Sequence, residues 1–480
     1  MLFNSASFAL FLPVVFLVYW FLTNKNGSLQ NAILLVASYI FYACWDWRFL
    51  FLLLFSTLLD FTTGLKMFES STEAIRKRWF WLSVIVNLGF LGVFKYYNFF
   101  SASFAGLLSR FGLQVNPFTI NVILPVGISF YTFHGLSYVI DIYKKKITPE
   151  KSFIDYAVFV SFFPLLVAGP IERATHLLPQ IKTKRTFDYT KATDGLRQML
   201  WGLFKKIVIA DGCATIVNTI FDTPSNLQGS SLLLGAFLFA IQIYGDFSGY
   251  SDIAIGTAKL FGIDLLRNFA FPYFSRDIAE FWRRWHISLS TWFRDYIYVP
   301  LGGSRVSTWK KVRNTFIIFM VSGFWHGANW TFIFWGLLNA LFIMPSILLK
   351  TNRNNLDIVA QGKLFPSLKE AFSIVFTFGL TVFAWIFFRS RSLHAAFHFI
   401  DGICSKSLFT IPVRDERPLT LLYFIAIFII IEWLGREHQY ALARLGFTWN
   451  KWLRWGFYYA IIITIIFHKG TDQQFIYFQF

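Results

Sequence analysis

Residues 314–349 contain no Asp, Glu, Lys or Arg, and similar charge-free runs cover 1–24, 26–45, 79–94, 111–140, 223–245 and 371–388. A helix crossing the hydrocarbon core of a membrane needs roughly 17–25 mostly apolar residues. Only helices and closed barrels satisfy their own backbone hydrogen bonds there. Long continuous apolar runs predict an all-α polytopic membrane protein, since a transmembrane barrel would show short alternating segments instead. Composition agrees: 56% of the 480 residues are hydrophobic, against about 45–50% in a soluble domain. With no internal repeat, no low-complexity tract and no loop long enough for a soluble domain, residues 1–480 read as a single integral-membrane domain.

The net charge of +18 would suggest nucleic acid in a soluble chain. Here the bases fall in loops, which is how positive residues orient a membrane protein and meet anionic lipid, so no nucleic-acid partner is expected. The first basic residue is Lys25, so 1–24 reads as a retained first helix rather than a cleaved leader. Arg76, Lys77 and Arg78, and then Lys144, Lys145 and Lys146, mark loops expected in the cytoplasm, which places the N-terminus outside. The cysteines, Cys44, Cys213 and Cys404, are too scattered for a disulfide framework or a zinc site. Cys44 reads as small core filler.

The first span is expected to end near Lys25, with a second over 30–45 and a third over 49–65 that carries Asp60. A fourth starts at Trp79 and ends in the aromatic belt 96–100, and a fifth runs from 111 to Tyr143. Residues 156–171 carry Pro164 and Gly169–Pro170, which predicts a re-entrant or broken segment buried in protein. Residues 194–220 mix Lys205, Lys206 and Asp211 with apolar residues and read as an interfacial amphipathic helix. A span over 232–260 follows, then short helices over 267–313. The 314–349 run is too long for one span and divides at Gly323 and Gly327. Further spans are expected near 371–388, 419–433 and 455–467.

The sharpest chemical feature is His326, inside the 314–349 run. Histidine changes charge near neutral pH and suits general acid–base work, and apolar surroundings favour its neutral, basic form. A hydrogen-bonded core histidine explains the same residue without chemistry. His286 sits in the stretch Trp282-Arg283-Arg284-Trp285-His286, whose arginines could hold phosphate bidentately or could simply snorkel in an aromatic belt. Gln242, Tyr244, Asp246, Ser248, Tyr250, Ser251 and Asp252 load one span with polar groups. Carboxylates at membrane depth cost roughly 2.5–3.5 kcal/mol each on insertion scales, so Asp246 and Asp252 should be paired, with the Arg-rich stretch downstream the expected source. His134 reads as a packing hydrogen bond between helices. No metal-binding, P-loop, dinucleotide or nucleophile-elbow motif occurs.

Three blocks, IQIYGDFSGYSDIAIG (241–256), FWRRWHISLSTWFRDYIYVPLGG (281–303) and SGFWHGANWTFIFWG (322–336), resemble the signatures of the membrane-bound O-acyltransferase superfamily. LPVGISFYTF (124–133), FFPLLVAGPIERA (162–174) and the terminal FIYFQF (475–480) resemble its bacterial branch around alginate O-acetyltransferase. The resemblance implies a ring of about eleven transmembrane helices with short re-entrant and interfacial helices around a central chamber. It implies His326 as the catalytic base and His286 as a second catalytic residue. Arg283, Arg284, Arg294, Asp246, Asp252, Trp325 and Asn329 are expected to contact substrate. Asn339, His134 and Leu165 depart from the branch's pattern.

By the same resemblance the chain is expected to sit in the inner (cytoplasmic) membrane. It would take an acetyl group from a cytoplasmic donor, acetyl-CoA used as a substrate rather than a bound cofactor. The acceptor would be an exported polysaccharide or cell-wall glycan, reached with a periplasmic or extracellular acetyltransferase partner. The other readings are D-alanyl transfer to teichoic acid from a carrier protein, a transporter without acyl chemistry, and a docking scaffold.

Overall fold

The computed structural model describes residues 1–23, 26–121, 123–167, 169–412, 419–468, 473 and 475–476. It is all-helical, with no strand among the described residues. The last four residues of the 475–480 block lie outside them. The chain groups into two compact units, 1–195 with 257–266, and 196–256 with 267–480.

The first unit contains α1 (Ala6–Thr23), α2 (Gly27–Ala43), α3 (Arg48–Glu69), α4 (Glu73–Leu91), α5 (Tyr97–Arg110), α6 (Ile128–Tyr143), α7 (Phe153–Ser161), α8 (Phe163–Leu166) and α9 (Ala174–Lys182). Asp60 in α3 is satisfied without a cation: Ser83 and Asn87 of α4 donate to Oδ1 at 2.6 and 2.8 Å. The belt at 96–100 does not end the fourth span. A π-helical turn over Gly92–Tyr96 carries α4 into α5 as one apolar helix, Glu73–Arg110. The fifth span starts at Ile128 rather than 111, because Gly112 and Gly127 are left-handed and Pro117 and Pro125 lack a donor. Residues 156–167 are buried throughout, and the helix breaks at Phe162, as expected. The freed Phe163 N–H donates to Ser38 Oγ at 3.0 Å. His134 Nε2 accepts the Glu172 N–H at 3.0 Å, the packing role read from sequence. Cys44 is exposed, not core filler, since it follows the last turn of α2.

α10 (Tyr189–Leu203) leads into the second unit, which continues with α11 (Asp211–Asp222), α12 (Gly229–Leu260), α13 (Ile278–Arg284), α14 (Ile287–Phe293), α15 (Thr308–His326), α16 (Trp330–Leu348), α17 (Leu368–Arg389), α18 (Leu393–Ile403), α19 (Leu419–Gly435) and α20 (Lys451–Phe467). The 194–220 stretch is not an interfacial helix. It passes through a π-helical segment, Phe204–Ala210, whose residues are all buried. Among the described residues six helices are long and apolar enough to cross a membrane, α1, α3, the α4–α5 helix, α12, α16 and α17, while α2 and α19 are shorter apolar helices. The expected count of about eleven is not reached by length, because broken segments such as α7–α8 and α13–α14 are too short to count. α12 stands apart: 83% of its apolar window is buried in protein, against 28% for α1.

The 314–349 run divides as its glycines suggest. α15 and α16 form an antiparallel hairpin in which Gly323 faces the Phe332 carbonyl and Gly336 faces the Phe319 carbonyl. A Cβ at either position would strike backbone, which cannot swing aside. Gly336→Ala is therefore expected to destabilise the purified protein by about 1–3 kcal/mol, the usual cost of overpacking. Gly379→Ala in α17, where an added Cβ meets nothing, should leave it unchanged or more stable. Thermal unfolding in detergent compares the two.

Candidate active site

The hairpin places His326. It is the last residue of α15, followed by an extended Gly327. Asn329 starts α16 by accepting the Thr331 N–H at 3.0 Å, and its Nδ2 donates to the Arg391 carbonyl at 3.0 Å. This residue, expected at the substrate, is used as a helix cap. Three aromatic rings enclose His326, with centroids at 4.9 Å (Trp325), 5.2 Å (Trp335) and 5.4 Å (Phe388). His326 is 3% exposed.

His286 lies between α13 and α14 in a left-handed conformation, φ 43° and ψ 55°. For a residue with a Cβ this costs of order 1–3 kcal/mol and persists only where the surroundings impose it. Here residues 268–270 and 284–287 bond across: Ala270 N–H to the Arg284 carbonyl at 3.0 Å, and Ile287 N–H to the Asn268 carbonyl at 2.9 Å. The imidazole lies edge-on to Phe247 of α12 at 4.6 Å, with its Nδ1 3.0 Å from Asn268 Oδ1. Its centroid is 6.5 Å from that of His326 and 6.1 Å from that of Trp325. The structure thus brings together His286, His326 and Trp325 of the expected site.

Asp246 and Asp252 are ion-paired within the protein by the buried tandem Lys205–Lys206, and Arg267 of the Arg-rich stretch adds its attraction at Asp252. Lys205 Nζ lies 2.6 Å from Asp252, and Lys206 Nζ lies 2.8 Å from Asp246 and 2.7 Å from Asp211. The Ile476 N–H donates to Asp246 at 2.7 Å, and Gln198 Nε2 to Asp252 at 2.8 Å. A fourth acid, Glu432 of α19, accepts from Tyr244 Oη at 2.6 Å and Trp201 Nε1 at 2.7 Å. Sequence reading missed Glu432, Lys205 and Lys206. The signal for the lysines was adjacent charges inside WGLFKKIVIA (201–210), which an amphipathic reading sent to the surface.

The arginines are mostly committed to protein. Arg283 donates to the carbonyls of Asn352 and Asn355, both at 2.8 Å. Arg284 lies 2.7 Å from Glu280, and Arg276 bonds both Glu280 (3.1 Å) and Asp357 (2.9 Å). Together they brace the loop after α16. Arg294 is exposed and faces Asp295 at 2.7 Å. Asn339 donates to the Trp335 carbonyl at 2.8 Å and accepts from Trp282 Nε1 at 3.3 Å, which ties the Arg/Trp block to the ring wall of His326.

Lys206→Met would remove the lysine that bridges the buried Asp246 and Asp211. Breaking a buried pair costs about 3–5 kcal/mol, so the variant is expected to lose folded yield in detergent, with recovery when Asp246→Asn and Asp211→Asn are added. The Arg276 hydrogen bond also holds the Asp357 carboxyl below its ordinary 3.8. A depressed carboxylate stabilises above its unfolded value and stops doing so as pH falls through its lowered folded value. Asp357 is exposed, so the effect is small. The protection of the 350–358 amides, taken relative to the intrinsic exchange rate at each pH, should fall on acidification below the ordinary aspartate range, and Asp357→Asn should remove that dependence.

The profile of the membrane-bound O-acyltransferase family matches residues 147–388. The probable alginate O-acetylase AlgI of Pseudomonas putida is 36% identical, with all of both chains covered. That of Pseudomonas aeruginosa is 38% identical over 92% of this chain and 82% of its own. The peptidoglycan O-acetyltransferase of Helicobacter pylori is 37% identical over 84% of this chain and 80% of its own. The two histidines lie in the matched region with their ring centroids 6.5 Å apart, the apolar helices make a multi-pass membrane protein, and the chain belongs to the membrane-bound O-acyltransferase family.

Proposed function

We propose that this O-acyltransferase acetylates hydroxyl groups of an exported polysaccharide or cell-wall glycan. The donor is cytoplasmic acetyl-CoA, the enzyme sits in the inner membrane, and an exported acetyltransferase partner completes delivery. The relatives' names, alginate O-acetylase and peptidoglycan O-acetyltransferase, support the acceptor class. The observation that carries the reading is the pair of buried imidazoles, 6.5 Å apart, with indole and phenyl rings around His326.

In this reading His326 removes the proton of the acceptor hydroxyl as its oxygen attacks the thioester carbonyl. The carbon–sulfur bond breaks, and the imidazolium returns the proton to the departing thiolate. The rings exclude water, which would otherwise compete as acceptor. The last-turn carbonyls of α15 favour the cation that forms on His326 at the step, an effect of roughly 0.3–1 kcal/mol at a helix C-terminus. The α12 carboxylates, neutralised by their lysines, hold the wall carrying Phe247 rather than taking protons. Arg294 remains the arginine best placed to meet donor phosphates, with Arg283 and Arg284 adding positive charge at the braced loop.

His326→Ala and His326→Gln are each expected to lower acetyl transfer in membrane vesicles about 10²–10⁴-fold, the range of general-base assistance, while eluting as the folded protein in detergent. Transfer from labelled acetyl-CoA into the polysaccharide fraction measures this. Near wild-type transfer by either folded variant would remove His326 from the base role.

A further inference from the structure

We propose that Asn268 is a positioning residue that locks His286 in the tautomer carrying its proton on Nδ1, so that Nε2 is the basic atom of that ring. The inference rests on the reading of His286 and His326 as the working pair.

Asn268 is fully buried and lies in the irregular segment between α12 and α13. Its amide is placed with Nδ2 toward Ser251 and Oδ1 toward Ser288 and His286. Nδ2 donates to Ser251 Oγ of α12 at 3.0 Å, which leaves Oδ1 as the acceptor. Oδ1 receives the Ser288 hydroxyl at 3.0 Å and faces His286 Nδ1 at 3.0 Å. An amide oxygen has no proton to give. The Nδ1–Oδ1 contact is therefore a hydrogen bond only if Nδ1 carries the hydrogen, and a neutral imidazole then has its lone pair on Nε2. Ring-flipping would lose that bond, and the edge-on contact with Phe247 at 4.6 Å opposes it.

The same residue holds the backbone. The Asn268 carbonyl accepts the Ile287 N–H at 2.9 Å, immediately after the strained His286. Thus Asn268 grips His286 twice, through its main chain for the left-handed turn and through its side chain for the tautomer. On its other side, Asn268 and Ser251 line a polar cavity of about 10 Å³ with Lys205, Asp252, Arg267 and Glu432. The side chain therefore links the ring to the charged network of α12 through a neutral group. A carboxylate here would instead draw a second proton onto the imidazole.

Solid-state nitrogen NMR of the full chain in lipid, with ¹⁵N-labelled histidine, reads the tautomer directly, the His286 signals being assigned by their loss in His286→Gln. The expected result is a protonated Nδ1 and a bare Nε2 in the wild type. A bare Nδ1 in the wild type would overturn the proposal without any variant. Asn268→Leu is expected to give mixed tautomers. It should lower kcat between about 10-fold and the 10⁴-fold that a wrong tautomer costs a catalytic triad, with KM for acetyl-CoA little changed. Asn268→Asp, which keeps the acceptor, should keep the Nδ1 proton. An unchanged tautomer in folded Asn268→Leu would also overturn it. Wild-type transfer by folded His286→Gln would instead defeat the underlying reading of the pair, leaving the NMR result as it stands.

Discussion

Two lysines buried beside α12 govern the second unit. Ionic side chains at membrane depth are tolerated only when paired, and Lys205 and Lys206 meet Asp252, Asp246 and Asp211 at 2.6–2.8 Å. These contacts turn a π-helical segment inward and make α12 an interior helix rather than a lipid-facing one. α12 then presents Phe247 to His286 and Ser251 to Asn268. The polar span whose carboxylates were expected to be paired is an ionic clasp, and the site leans on it.

His326 and His286 are held by different means. His326 ends a helix whose position follows from two glycine contacts within its hairpin, Gly323 of α15 on the Phe332 carbonyl and Gly336 of α16 on the Phe319 carbonyl. His286 depends on a crossing of two irregular segments that holds it in a strained conformation. The first arrangement is local in sequence and the second is not. The Arg/Trp block before His286 spends most of its guanidinium donors on Glu280 and loop carbonyls, so its fixed charge shapes the surroundings while its forks stay occupied.

Much of this could be read from the chain. Charge-free runs announce membrane helices because hydrocarbon admits no unpaired backbone. The division of 314–349 around His326 follows from its length and glycines, and the break near Pro164 from the missing donor. The start of α6 was missed because residues 111–127 are apolar yet carry the turn residues Gly112, Pro117, Pro125 and Gly127, and hydropathy does not distinguish an apolar loop from a helix. Lys205 and Lys206 were sent to the surface because amphipathic periodicity records charge without showing what faces it.

The sequence by itself determined the class of protein and the family, and it singled out His326 as the candidate base. Each of these depends on local composition or on residues close together in the chain. The tertiary structure alone decided which cations neutralise Asp246 and Asp252, which rings enclose His326, and that Asn268 meets His286. Several of those pairings join positions far apart in the chain, and a hydrogen bond or ion pair is set by distances of about 3 Å that only the folded chain defines.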